Sequence, residues 1–139
     1  MWSFRNALDR IDWSTMPVGF THFPLNACGD ISDILAEYLY SFGFANIDYV
    51  CGEKRNGKTH AWLEAEGLAI DITADQFDGI DEIVLIQNPD IWHLRHYRES
   101  ERRKAGYKQM SGPAIPDLEL VHKEVIRKLQ QSEPVNNFV

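Results

Sequence analysis

Three features of the sequence predict an α+β fold in which helices pack on an antiparallel sheet. Apolar residues recur at helical spacing over Ala27–Phe42. The apolar stretches Thr59–Ala65 and Leu68–Thr73 are joined by Glu66-Gly67, as in a β-hairpin with a two-residue loop. After Pro116 the helical spacing returns and continues until just before the next proline. The sequence therefore predicts a central helix, a sheet and a C-terminal helix.

Length and composition limit the class of protein. The chain of 139 residues is long enough for one domain with a core and too short for two, so a single domain over residues 1–139 is expected. With 44% hydrophobic and 25% charged residues it has the composition of a globular protein. The net charge of −7 argues against general binding to nucleic acid or to anionic membranes. No apolar run approaches the roughly 20 residues of a membrane helix.

The first residues and the cysteines bear on location. Residues 1–13 alternate apolar and charged side chains and lack the apolar block of a secretory signal, so a cytoplasmic location is expected. Two cysteines are too few for a disulfide framework, and both are expected to be free thiols. Cys51 ends a predicted strand and is interpreted as a packing residue.

Around the central helix and the hairpin, the sequence predicts a further helix, a connector and two more strands. A short amphipathic helix is predicted around Phe4–Ile11, followed by an extended connector over Val18–Pro24. Strands are predicted at Ile47–Cys51 and Ile83–Ile86. Ile91–Lys108 is predicted to be a helix that frays into a loop. Basic side chains predominate in its part Arg95–Lys108, which is either a solvated face or a docking site for an acidic partner.

The central helix places Cys28 at its start. Asn26 is a plausible N-cap, and Gly43 stands where the helix should stop. The free N–H groups and partial positive charge of a helix N-terminus lower the pKa of a thiol there. Asp30 and Asp33 suit the helix dipole but would raise the pKa of Cys28 if their side chains faced the sulfur.

The hairpin register brings His60 close to Asp71. If Ala65 faces Leu68, paired residue numbers sum to 133, and His60 becomes a diagonal neighbour of Asp71 at roughly 7 Å. Trp62 and Thr73 share their face. The opposite face is apolar, which supports this register, and is formed by Ala61, Leu63, Ile70 and Ile72.

Cys28, His60 and Asp71 are the residue types of a thiol nucleophile, its base and the acid that orients the base. They predict a cysteine-dependent acyl-transfer enzyme that passes through a thioester, with a peptide or protein as substrate. The N–H of Cys28 could bind the oxyanion of a tetrahedral intermediate, and the second donor would be Asn26 or His22.

Other interpretations remain open at this point. Cys28 could be a buried packing residue, and the domain could bind a peptide without catalysis. Trp62 is expected to pack beside His60 and is, with Gln76, a candidate substrate contact, although Gln76 could equally cap a turn. His93 and His96 stand three residues apart but lack the companions of a zinc motif, so no metal and no cofactor is expected.

The two stretches FPLNACGDISDILAEYL and THAWLEAEGLAIDITADQF resemble the transglutaminase-like division of the papain-like cysteine enzymes. The likeness covers residues 23–77, and similar short forms include the peptidases that remove leader peptides in lasso-peptide biosynthesis. It implies a papain-like core in which Cys28 is the nucleophile, His60 the base and Asp71 the orienting acid. Since Gly29, and no tryptophan, follows the nucleophile, hydrolysis and amine transfer both stay open.

Overall fold

The computed structural model describes residues 2–21, 23, 28–74, 85–87 and 92–132. The elements in chain order are α1 (Trp2–Asp9), α2 (Cys28–Tyr40), β1 (Asp48–Glu53), β2 (Thr59–Ala65), β3 (Leu68–Asp71), β4 (Leu85–Gln87), α3 (Trp92–His96), β5 (Arg98–Lys104) and α4 (Ile115–Ser132). The strands form one antiparallel sheet in the order β4-β3-β2-β1-β5. The predicted α+β class is confirmed. Within the described ranges, no helix combines the length and apolar character needed to cross a bilayer.

Helix α2 lies at the centre of the main hydrophobic core. The apolar stripe predicted for this helix is buried as far as Leu39, whereas Phe42 lies beyond the last helical residue and is 66% exposed. Gly43 follows with φ +92°, the left-handed conformation that commonly ends a helix. The stripe packs between the other helices and one face of the sheet. This core contains Phe4, Leu8, Ile31, Ile34, Leu35, Leu39, Ala61, Leu63, Ile70, Ile72, Val121 and Val125. The periodicity that predicted α2 and α4 is therefore the packing pattern of the core.

The hairpin of β2 and β3 has the predicted register. Leu63 pairs with Ile70, Glu64 with Ala69 and Ala65 with Leu68. Glu66 and Gly67, the two loop residues, have φ values of 53° and 81°. Positive φ at both positions is the backbone of a type I′ turn, which joins antiparallel strands with this tight connection. The apolar face predicted for the hairpin is the face that packs on α2.

The opposite face of the sheet carries a second, smaller cluster. Val50, Trp62, Ala69 and Tyr97 are buried there, with Trp92 packed against them. Because both faces of β2 are covered, its burial is almost continuous and shows no alternation. Helix α3 contributes to this second face, and His60 and Asp71 share it with Trp62, as the register predicted.

The region after β3 differs from the predictions. The helix that frays, predicted for Ile91–Lys108, is not seen: residues 92–104 form the five-residue α3 followed by strand β5, which pairs with β1 at the sheet edge, and residue 91 lies outside the described ranges. Almost every residue of β5 is exposed, so no apolar alternation marks it as a strand. The connector Val18–Pro24 contains a 3₁₀ turn at Val18–Phe20 rather than extended chain. For Ile83–Ile86, the strand seen is Leu85–Gln87, and residues 83 and 84 lie outside the described ranges.

Basic side chains of β5 are used within the chain. Arg102 forms ion pairs with Asp48, Glu64 and Glu99 at 2.7 to 2.9 Å. Arg103 binds Asp33 of α2 through both terminal nitrogens, at 3.0 and 2.8 Å. These contacts attach the edge strand to its neighbours, and docking of an acidic partner on Arg95–Lys108 stays a prediction.

Candidate active site

The first residue of α2 brings the Cys28 thiol to the start of β2. The thiol lies near the ring of His60 and the backbone N–H of Ala61, and both groups lower its pKa. Burial would raise the pKa of Cys28, but the interaction with His60 and the charge of that ring outweigh burial. The pKa of Cys28 therefore lies below that of an ordinary thiol. A nucleophilic cysteine needs this shift, because the thiolate is the reacting form.

His60 connects the thiol to a buried carboxylate. Its Nε2 donates to Oδ2 of Asp71 at 2.5 Å, and neither side chain is more than 1% exposed. Burial lowers the pKa of His60, but its hydrogen bonds with Asp71 and Cys28 raise it to about 9. Because an ionised carboxylate can only accept a hydrogen bond, Nε2 must carry a proton. Nδ1 is then the ring nitrogen that can exchange a proton with the thiol. This is the tautomer that a general base requires.

Asp71 is held as a carboxylate by donors on both of its oxygens. Oδ1 accepts from the backbone N–H of Thr73 at 2.9 Å and from its hydroxyl at 3.2 Å. Burial would raise the pKa of Asp71, yet the hydrogen bonds from His60 and His93 hold it well below its usual range. The negative charge needed to support a His60 imidazolium is therefore present across the physiological pH range.

His93 is a member of the cluster that the sequence analysis did not place there. Its Nε2 donates to the same Oδ2 of Asp71 at 2.8 Å, and its side chain is fully buried. The imidazole stacks on Trp62, with ring centroids 4.1 Å apart and planes 17° apart. Trp62 also lies beside His60, as predicted, with centroids 6.1 Å apart. His96, three residues further on, is not part of the cluster: it is exposed, and its ring bonds the backbone oxygen of Trp92 at 2.7 Å.

The acidic side chains of α2 are not among the groups that raise the pKa of Cys28, which was the alternative considered for Asp30 and Asp33. Asp33 is 4% exposed and turns toward Arg103 and the backbone N–H of Gly106, which it accepts at 2.8 Å. The carboxylate that acts on the pKa of Cys28 is Asp71, which raises it slightly against the larger effect of His60. Cys51 packs against the main core, and burial raises the pKa of its thiol. The two cysteines thus have opposite shifts.

A metal is the other occupant that this cluster could hold. His60, Asp71 and His93 each offer one ligand atom, and these atoms lie within 4.8 Å of one another. Zinc bonds of about 2.0–2.1 Å at tetrahedral angles would keep ligand atoms about 3.3 Å apart. The nitrogen–oxygen distances of 2.5 and 2.8 Å are shorter than this and are those of hydrogen bonds. The spacing of these three side chains therefore fits hydrogen bonds better than the coordination of a zinc ion.

The three predicted catalytic residues meet, whereas several weaker predictions cannot be placed. His22, Asn26 and Gln76 lie outside the described residues, so their predicted roles stay predictions. Tyr97 was not predicted: its ring is 5.7 Å from that of His60, and burial raises the pKa of Tyr97 to about 12. Its only signal in the sequence was its place in an aromatic-rich stretch with Trp92 and His93.

Compared with family models, with curated proteins and with solved structures, the chain matches none. The resemblance of its two motifs to the transglutaminase-like enzymes therefore stays a prediction. What the geometry provides is a thiol of lowered pKa, a proton acceptor beside it and a buried carboxylate that orients the acceptor. This set can carry out nucleophilic attack on a carbonyl carbon.

Proposed function

We propose that the chain is a cysteine-dependent acyl-transfer enzyme, a peptidase or amidase that acts through a Cys28–His60–Asp71 triad on a peptide or protein. The observation that carries the proposal is that the Cys28 thiol, at a helix start, lies near the ring of His60, whose Nε2 bonds the buried carboxylate of Asp71 at 2.5 Å. The same residues carry the resemblance to the transglutaminase-like enzymes, and a papain-like core is part of the proposal.

In the proposed reaction the thiol proton rests on Nδ1 of His60. The Cys28 thiolate attacks the carbonyl carbon of an amide or ester, and the electron pair of the C=O bond moves to oxygen. As the tetrahedral intermediate collapses, the bond to the leaving amine or alcohol breaks, and His60 gives its proton to that group. A thioester on Cys28 remains.

The second half returns the enzyme to its starting state. His60, now neutral, takes a proton from water or from an incoming amine as that nucleophile attacks the thioester carbon. The C–S bond breaks, the acyl group leaves as an acid or amide, and the Cys28 thiolate is restored beside protonated His60. Asp71 stays ionised throughout and stabilises the imidazolium. Because His60 must be protonated when the leaving group departs, turnover should fall above about pH 9.

The first prediction concerns the reactivity of the two thiols within one molecule. At pH 6.5 an ordinary thiol is roughly 1% ionised, whereas Cys28 has a lowered pKa and Cys51 a raised one. We expect iodoacetamide to alkylate Cys28 at least about tenfold faster than Cys51 at this pH. Peptide mapping by mass spectrometry after timed quenching gives both rates, and Cys51 serves as the internal control. Equal rates would contradict the proposed thiolate.

The second prediction tests acyl transfer itself. With p-nitrophenyl acetate we expect a burst of p-nitrophenol that approaches one equivalent per chain, and an acetyl group on Cys28 by mass spectrometry. The Cys51→Ala variant should keep the burst, and Cys28→Ala should lose it. A reactive Cys28 that never becomes acylated would favour the alternative, a peptide-binding domain without catalysis. A search for peptides trapped as thioesters on Cys28 would then identify the substrate.

A further inference from the structure

His93 is a buried titratable group, in contact with Asp71, to which the proposed triad gives no role. It lies on α3, in the short helix that covers the second face of the sheet, and is 1% exposed. It reaches across 22 positions of sequence to Oδ2 of Asp71, the same oxygen that binds His60. An apolar side chain would fill the same space at a lower desolvation cost. The hydrogen bond to Asp71 is therefore what distinguishes His93 from a packing residue.

Stacking fixes the direction of the His93 ring. One side of the imidazole lies on Trp62 at 4.1 Å and 17°, and the ring of Trp92 meets it nearly at right angles, 5.1 Å away. These contacts hold the ring so that its Nε2–H points at the carboxylate. Because Trp62 also packs beside His60, the two imidazoles and the indole form one ordered layer, with the two histidine rings 5.9 Å apart and 13° from parallel.

The carboxylate of Asp71 is thereby saturated with donors. Two hydrogen bonds come from Thr73 to Oδ1, and one from each histidine to Oδ2. A carboxylate in this state can neither rotate nor take up a proton without breaking a buried hydrogen bond. Its Oδ2 is held at one point, which in turn holds His60 in the Nε2–H tautomer with Nδ1 toward the thiol.

We propose that His93 is a positioning residue of the active site, a second imidazole that locks Asp71 and through it sets the tautomer of His60. The inference rests on the proposed function, since a tautomer matters only if His60 acts on the Cys28 thiol. Among the residues that the structure describes, the titratable groups that face the His60–Asp71 pair are Cys28 from α2, His93 from α3 and Tyr97 from the segment before β5. Tyr97, with its pKa of about 12, does not titrate below pH 10.

The test compares variants that keep or remove the donor. In His93→Gln the amide nitrogen takes about the place of Nε2, whereas His93→Phe keeps a ring and removes the donor. We expect His93→Phe to slow alkylation of Cys28 at pH 6.5 by roughly 10- to 100-fold, from the usual strength of a hydrogen bond to a charged group. The slow rate should recover above pH 9, and His93→Gln should stay within about threefold of the native protein. His96→Gln, on the same helix but exposed, is the matched control and should not change the rate.

A second measurement needs no variant. Two-bond ¹⁵N–¹H correlation spectra of the native protein report which ring nitrogens carry protons. We expect a proton on Nε2 of both His60 and His93, and on His60 a second proton at Nδ1 that is lost as pH rises through about 9. A bare Nε2 on His93 would overturn the proposal, as would a His93→Phe protein that loses stability but keeps the native pH profile. If the pH profile of Cys28 alkylation in the native protein changed on adding EDTA, the result would favour a metal site at this cluster over the proposed positioning role. If native Cys28 reacts no faster than Cys51, the proposed function itself fails, which is a separate result.

Discussion

Replacing Asp71 with asparagine should reduce the acylation rate of Cys28 on the order of 10³-fold or more, as loss of the orienting acid does in other triads. If the asparagine oxygen accepts from Thr73, the amide nitrogen faces two imidazole N–H donors. His60 can relieve this conflict only by moving its proton to Nδ1, which then points at the thiol and cannot accept from it. Stopped-flow measurement of p-nitrophenol release gives the rate.

The same substitution should lower the free energy of unfolding by about 3 kcal/mol, because a buried carboxylate that accepts from two histidines is lost. The pH dependence has a definite sign. The contribution of Asp71, whose pKa is lowered, is present above an ordinary carboxyl pKa and is lost as pH falls through its folded value. That of His60 is complete below about pH 6.5 and is lost as pH rises through about 9. The difference in the free energy of unfolding between Asp71→Asn and the native protein should be largest between about pH 4 and 6.5.

Asp48→Asn provides the matched control for this comparison. Asp48 is also an aspartate of the sheet, but its side chain is 45% exposed and pairs with Arg102 at the surface. Exposed ion pairs contribute about 0–1 kcal/mol, so this variant should unfold nearly as the native protein does and react at the native rate. Two results would contradict the role given to Asp71. One is that Asp71→Asn and Asp48→Asn lose similar amounts of stability and acylation rate, and the other is that the loss of stability in Asp71→Asn does not depend on pH.

The part of the site that sequence predicted is the part governed by short-range rules. A two-residue loop and one apolar face determine how β2 pairs with β3, and this pairing alone brings His60 to Asp71. Helical spacing places Cys28 at the first residue of α2. Local geometry could not say that this helix start meets His60, because that contact depends on how α2 crosses the sheet.

The part that sequence missed depends on long-range packing and on weak patterns. His93 and His96 are three residues apart, which on a long helix would put them on one face, but α3 has only five residues and buries one of them. No spacing rule connects His93 to Asp71. Strand β5 was mistaken for the end of a helix because an edge strand exposed on both faces has charges where a half-buried strand has alternation.

Gly52 shows how closely the second face of the sheet is packed around His60. It pairs with His60 in β2, and a Cβ at this position would lie 2.6 Å from Cβ of Tyr97 and 3.0 Å from the ring of Trp62. A glycine within a strand often marks such a close approach. Cβ of Tyr97 is attached directly to the backbone, so it cannot move aside as the end of a flexible side chain could.

Gly52→Ala should therefore displace Tyr97 and Trp62, the two aromatic rings that flank His60. We expect the free energy of unfolding to fall by about 1–3 kcal/mol, the usual cost of overpacking, and alkylation of Cys28 at pH 6.5 to slow. Urea denaturation and timed alkylation measure the two effects. Gly19→Ala is the control, because a Cβ there meets no atom within 4 Å, and it should match the native protein in both measurements. If Gly52→Ala lost stability but kept the native alkylation rate, the aromatic layer would support the fold without positioning His60.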